Sequence, residues 1–238
     1  MTGDRARCEE AIRYCLTHKP AADDAAAYNL WSLVLRSQGE DKNQEAERKL
    51  TSALARLAGN EAAPQLAAAI YTNWGSLLSS QGKLAPARNM YEQALAFNAV
   101  NAHTLFNYGL AWQKENNRAM AEEKYRQAIE VDHELTSAYT NLAYVLWQQG
   151  KIDDALTQTK RLEQISQGTD VYLNWGFLLE QKKNFALALR QYERAIELDP
   201  GLPEAYEGKA RAYLELGDLL SAAANAFRAG RLREKVAP

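Results

Sequence analysis

Four asparagines stand at one fixed place in four related stretches: Asn73 in "YTNWGSLL", Asn107 in "LFNYGLAW", Asn141 in "YTNLAYVL" and Asn174 in "YLNWGFLL". A primary amide both donates and accepts hydrogen bonds, so one asparagine can pair with the N–H and the C=O of a peptide backbone at once. A series of them at regular spacing either holds an extended chain whose side chains it does not read or bonds neighbouring helices and water within the fold. Aromatic and apolar residues keep them company: Phe106 just before the second asparagine, Leu110 and Tyr144 three after the second and third, and Phe177 three after the fourth. If exposed to the groove these side chains anchor a ligand, the other reading being that Phe106 or Tyr144 is core between units, while each amide pair contributes only about 1 kcal/mol net because water is displaced. The expected ligand is therefore apolar and extended, held at roughly micromolar strength.

Reaction chemistry is missing from the pattern. No glycine-rich phosphate loop is present, no histidine lies near a candidate nucleophile, and no carboxylate pair converges. Two cysteines and three scattered histidines, His18, His103 and His133, lack the short ligand spacings of a zinc site. No cofactor, metal or catalytic residue is expected.

The elements that position the asparagines repeat. Units begin near residues 68, 102, 136, 169 and 203, in steps of 34, 34, 33 and 34. A bulky residue (Tyr71, Leu105, Tyr139, Tyr172, Tyr206) is followed four places on by a small one (Gly75, Gly109, Ala143, Gly176, Ala210). Twelve places later comes alanine in every unit (Ala87, Ala121, Ala155, Ala188, Ala222), then Tyr91, Tyr125 and Tyr192, then Ala94, Ala128 and Ala195. This is two helices per unit, each with i, i+3, i+4, i+7 periodicity, joined at a turn usually marked by glycine (Gly82, Gly150, Gly217). Each asparagine lies two residues past the bulky one, about 200° round the helix, and so leaves the buried seam.

Those residues, above all "AYTNLAYVLWQQGKIDDA" and "VYLNWGFLLEQKKNFALALRQYERAIELDP", resemble the tetratricopeptide repeat family. The resemblance implies an all-α fold, a right-handed superhelical α-solenoid of antiparallel helix pairs, with the first helices lining a concave groove. Expected boundaries are an N-terminal half unit at 1–20, a first repeat with insertions at 25–67, repeats at 68–101, 102–135, 136–168 and 169–202, and a last repeat with a basic helix at 203–238. Cys8, Ile12, Cys15, Leu16 and Pro20 fall at the spacing of a second helix, which makes the cysteines packing residues. Seven residues apart on one helix, they are separated by about 10.5 Å, too far for a disulfide. The asparagines resemble the ladder in the tetratricopeptide superhelix of O-linked N-acetylglucosamine transferases, which implies a hold on polypeptide. The carboxylate clamp of chaperone co-factors is absent, because Thr72, Phe106, Thr140, Leu173 and Glu207 occupy the place that would need lysine.

Two departures mark secondary candidates. The unit at 136–168 carries Thr159 where others carry tyrosine and Leu162 where they carry alanine, so Leu162 and Ile165 are expected either to repack locally or to face a partner. The final helix carries Arg228, Arg231, Arg233 and Lys235, which suit a helix C-terminus or a docking patch.

Bulk composition bounds the rest. The 238 residues are 47% hydrophobic and 24% charged, ordinary for a globular chain, with a net charge of −2 that gives no field for nucleic acid. No apolar run approaches membrane-spanning length, and "MTGDRARCEEAIRYC" lacks the apolar core of a signal peptide. A cytoplasmic location is expected, or a periplasmic or organellar one if a targeting segment has been removed. Three functions fit: a non-catalytic scaffold holding an extended protein or peptide partner, a self-assembling scaffold that forms homo-oligomers through its open ends, or an interaction module of a larger enzyme or receptor.

Overall fold

The computed structural model describes Tyr14, residues 21–57 and residues 63–236. The half unit expected at 1–20, with Cys8 and Cys15, lies outside them apart from Tyr14, which is helical. The described residues form twelve α-helices and no strand. The contacts divide the chain into two units, one ending at Val131 and one starting at Asp132.

The first unit contains α1 (Ala21–Gln38), a short 3-10 turn (Glu40–Lys42), α2 (Asn43–Leu57), α3 (Pro64–Ser80), α4 (Leu84–Phe97), α5 (Ala102–Lys114) and α6 (Arg118–Val131). The second contains α7 (Thr136–Gln148), α8 (Ile152–Ile165), α9 (Thr169–Gln181), α10 (Phe185–Leu198), α11 (Pro203–Glu215) and α12 (Leu219–Val236). Consecutive helices pack as pairs, α1 with α2 through α11 with α12, and α3 on α2, α5 on α4, α9 on α8 and α11 on α10 continue the stack inside each unit. This is the all-α stack of helix pairs expected from the repeat.

Local chemistry explains where the helices begin and turn. Asn101, Asn117, Asn184 and Asp218 each accept a hydrogen bond from the backbone N–H three residues on, which satisfies a donor that the first turn leaves unpaired. Pro64 and Pro203 sit in the first turn, where a missing N–H costs nothing. The turns inside the pairs need one left-handed residue, and Gly82, Gly150 and Gly217 supply it at φ 76°, 77° and 81°. Asn116 and Lys183 take the same conformation where glycine is absent. In the first pair the extra residues of "GEDKN" become the 3-10 turn.

The core of three pairs, α3/α4, α5/α6 and α9/α10, is a tyrosine ring laid on a residue without a side chain. A Cβ added at Gly75, Gly109 or Gly176 would lie 2.6, 2.7 and 2.6 Å from the rings of Tyr91, Tyr125 and Tyr192 respectively. Those rings are at most 2% exposed, and Ala87, Ala121 and Ala188, one turn before them, are fully buried. Backbone and ring thus meet at crystal-like density, which leaves no slack for an extra methyl.

The pair α7/α8 solves the same packing differently. Ala143 replaces the glycine and Thr159 the tyrosine, so the methyl that would clash elsewhere has room here. Leu162, one turn after Thr159, replaces an alanine and returns the lost volume; it is 3% exposed. The sequence alternative in which Leu162 faces a partner is therefore corrected: its side chain is core. Ile165, at the end of α8, is 38% exposed.

Burial also moves the tyrosine phenols upward from their ordinary range. Desolvation raises Tyr91 and Tyr125, desolvation and the Glu180 carboxylate raise Tyr192, and Tyr108 is pushed up to about 12 by burial and by the Glu92 carboxylate to which it donates. A raised phenol favours the neutral form in the folded state, so its contribution is complete below about pH 10 and is lost as pH climbs through about 12. Tyrosinate absorbance followed with far-ultraviolet circular dichroism should show these phenols ionising together with helix loss above pH 10. Ionisation of every tyrosine near pH 10 with the helices intact would contradict the burial argument.

Candidate functional site

The four asparagines share a position in sequence, and the structure gives them different work. Asn73 on α3 is half-buried, and its Nδ2 donates to Oδ1 of the buried Asn29 on α1 at 2.9 Å. Asn141 on α7 is half-buried and its Nδ2 donates at 2.9 Å to the carbonyl of Ser137, one turn back on its own helix. Asn107 on α5 is half-buried and Asn174 on α9 is exposed, and neither has a hydrogen-bond partner among the described residues. Two amides are thus tied to the fold, each through one N–H, and two keep their full capacity.

The apolar residues also divide. Phe106 is half-buried with its ring 5.7 Å from that of Tyr125, so it belongs partly to the core of α5 and α6. Leu110 on α5 is half-buried. In the second unit Tyr144 is 45% exposed and its ring lies 5.5 Å from Trp147. Trp147 in turn meets Phe177 of α9 edge-to-face at 5.1 Å and 73°, a favoured aromatic geometry. Gln148 donates to the Tyr144 hydroxyl at 2.9 Å and fixes the outer ring. The result is a strip of three rings across α7 and α9, with Asn174 one helical turn before Phe177 on α9. Trp147 was not among the residues expected from the sequence, although its spacing of three from Tyr144 puts it on the same helix face.

An open cleft of about 310 Å³ in the second unit is lined by Thr136, Ser137, Thr140, Asn141, Leu162, Ser166, Asp170 and Val171. It brings Asn141 and the largely buried Leu162 together. A larger cleft of about 610 Å³ in the first unit is polar, bordered by Glu40, Asp41, Glu47, Gln81 and Lys83. Its charges are partly spent within the fold, since Glu47 accepts from Gln81 at 3.1 Å and lies 3.5 Å from Lys83.

On the last helix, Arg233 pairs with Glu207 at 2.8 Å, and the Arg228 guanidinium lies 5.5 Å from the centre of the Tyr206 ring. Arg231 has no ion pair among the described residues. The Lys235 side chain lies outside the described residues. Among the described residues no three histidine, cysteine, aspartate or glutamate side chains gather as metal ligands, and no helix is long and apolar enough to cross a membrane.

Comparison with known proteins bears on the same helices. Family models described as tetratricopeptide repeat match residues 68–101, 169–202 and 191–224. A TPR repeat-containing protein of Dictyostelium discoideum is 27% identical over 146 residues, 57% of this chain and 55% of that protein. The chain therefore spans about half the length of that relative. Among solved structures, that of pilF from Pseudomonas aeruginosa superposes with a TM-score of 0.72 at 20% identity, covering 90% of this chain and 94% of that one. YrrB, described as a TPR protein with an unusual peptide-binding site, gives 0.63 at 20% identity over 78% of this chain and 92% of its own. At these identities the likeness is one of fold. With tyrosine set on glycine in three helix pairs, a 34-residue step and three matching family models, residues 68–101 and 169–224 are tetratricopeptide repeats.

Proposed function

We propose that the chain is a non-catalytic scaffold that holds an extended segment of a partner protein along the first helices of its repeats. Tetratricopeptide repeats generally mediate interactions between proteins, and the similarity of fold to a TPR protein with a peptide-binding site supports a groove as the place of contact. The observation that carries the reading is the strip Tyr144, Trp147 and Phe177 beside an exposed Asn174 that has no hydrogen-bond partner among the described residues. Rings supply anchor energy, and the amide fixes the register of a backbone without choosing its side chains. Asn107 with Leu110 offers the same pairing in the first unit. Asn73 and Asn141 act as struts, each with one N–H bonded within the fold.

Capture of partners from native extract, read by mass spectrometry, tests this on the amides that matter. Asn107→Ala with Asn174→Ala should lose partners while keeping the wild-type melting temperature. Asn73→Ala should lower the melting temperature instead, since it strands the buried oxygen of Asn29 at a cost of about 1–3 kcal/mol. Partners retained unchanged by the first pair would remove the amides from the binding site.

A further inference from the structure

We infer that the segment held along the second unit is basic, with a lysine or arginine about three residues from its apolar anchor. This rests on the groove reading above and adds the chemistry of the occupant. On α9, Asp170, Asn174 and Phe177 follow one another at i, i+4 and i+7, so a carboxylate, a free amide and a ring of the strip share one helix face. The repeat step puts Glu204 of α11 at the place of Asp170.

The first helices of this unit, α7, α9 and α11, carry five carboxylates, Asp170, Glu180, Glu204, Glu207 and Glu215, against two cations, Lys209 and Arg211. Both cations are spent inside the fold, Lys209 on Glu193 at 3.0 Å and Arg211 on Glu180 at 3.1 Å, and Glu207 takes Arg233 at 2.8 Å. Asp170, Glu204 and Glu215 are exposed and have no ion pair among the described residues. The free charge of these helices is therefore negative. A need for acid at helix starts does not account for it, since α3, α5 and α7 have none in their first turns, and α3 and α5 hold no carboxylate at any position.

The cleft of about 310 Å³ supplies a place for the cation, and Asp170 is the one charged side chain in its lining. Thr140 gives its O–H to the Thr136 carbonyl at 3.2 Å and Asn141 gives one N–H to that of Ser137, so both meet a ligand chiefly as acceptors. Leu162 and Val171 in the same lining suit the aliphatic stem of a lysine or arginine, whose charged end stays with the carboxylate. An acidic side chain would meet Asp170 with like charge. Along α9, Asp170 and Phe177 are separated by about 10.5 Å, a length that an extended chain crosses in about three residues. That distance sets the spacing of cation and anchor in the occupant.

Three labelled glycine–serine peptides test this, each with two adjacent phenylalanines and with lysine, glutamine or glutamate three residues to either side. They are titrated into the full chain by fluorescence anisotropy at low and at high salt. The lysine peptide should bind about tenfold more tightly than the glutamine one, the glutamate one should be weakest, and the differences should shrink as salt is raised. Asp170→Asn with Glu204→Gln should bring the lysine peptide down to the glutamine level while the melting temperature is kept, because both side chains are exposed. Trp147→Ala should weaken the lysine and glutamine peptides alike. Equal affinity of those two, both lost with Trp147→Ala, would overturn the basic occupant and leave the groove standing. Indifference of the peptides to Trp147→Ala would overturn the groove and this inference with it. No binding of the lysine peptide, or binding that the Asp170 and Glu204 variant leaves unchanged, would overturn the inference alone.

Discussion

Gly109→Ala is expected to destabilise the chain, and to stabilise it once Tyr125 has been replaced by threonine. In the wild type the new methyl would lie 2.7 Å from the Tyr125 ring, which is fully buried and held by its hydroxyl on Gln113 at 2.6 Å. Overpacking of this kind costs about 1–3 kcal/mol, against a gain in helix propensity of about 1 kcal/mol, so crowding wins. Tyr125→Thr alone removes most of a buried ring and leaves Gln113 unpaired, for a loss of about 3–5 kcal/mol. With the ring gone the propensity gain is unopposed, and the second substitution recovers about 1 kcal/mol. The chain already contains the outcome of this experiment in Ala143 with Thr159. Urea unfolding of the wild type, both single variants and the double variant closes the cycle. The same sign for Gly109→Ala in both backgrounds would show that ring and glycine do not set the packing.

Trp147→Ala is expected to weaken the partner more than any other single change in the groove. Its ring is the middle member of the strip, in contact with Tyr144 on one side and Phe177 on the other, so its loss removes an anchor and frees both neighbours. Central aromatic anchors of this type are worth about 2 kcal/mol or more, which is roughly a thirtyfold loss of affinity. Trp147→Phe should recover part of it by restoring an edge for Phe177, and Tyr144→Ala, at a ring already half in solvent, should cost less. Affinity of the captured partner for each variant, measured beside its melting temperature, separates lost contact from lost fold. An unchanged affinity for Trp147→Ala would move the partner off α7 and α9.

The repeat was legible because its signal is one of size and period. Alanine at Ala87, Ala121, Ala155, Ala188 and Ala222, and tyrosine four places after three of them, state where helices cross without reference to any distant residue. What was not legible depends on neighbours that sequence does not pair. Thr159 and Leu162 read as a break in the pattern, yet together with Ala143 they exchange volume and keep the core full. The bond from Asn73 to Asn29 joins residues 44 apart and one place out of register between their repeats, so alignment of equivalent positions conceals it. Asn141 turns back onto Ser137 through a choice of side-chain rotamer, which periodicity cannot express.

The role of the free amides is tested most directly with a ligand that has no other claim on the protein. A peptide selected from a random library against the full chain is titrated into the wild type and into the variant carrying Asn107→Ala and Asn174→Ala. Affinity should fall by about tenfold or more, each lost charge-neutral amide pair contributing about 1 kcal/mol, with no change in melting temperature. Equal affinity for the two proteins would contradict a ladder that grips backbone and would leave all four asparagines as parts of the fold.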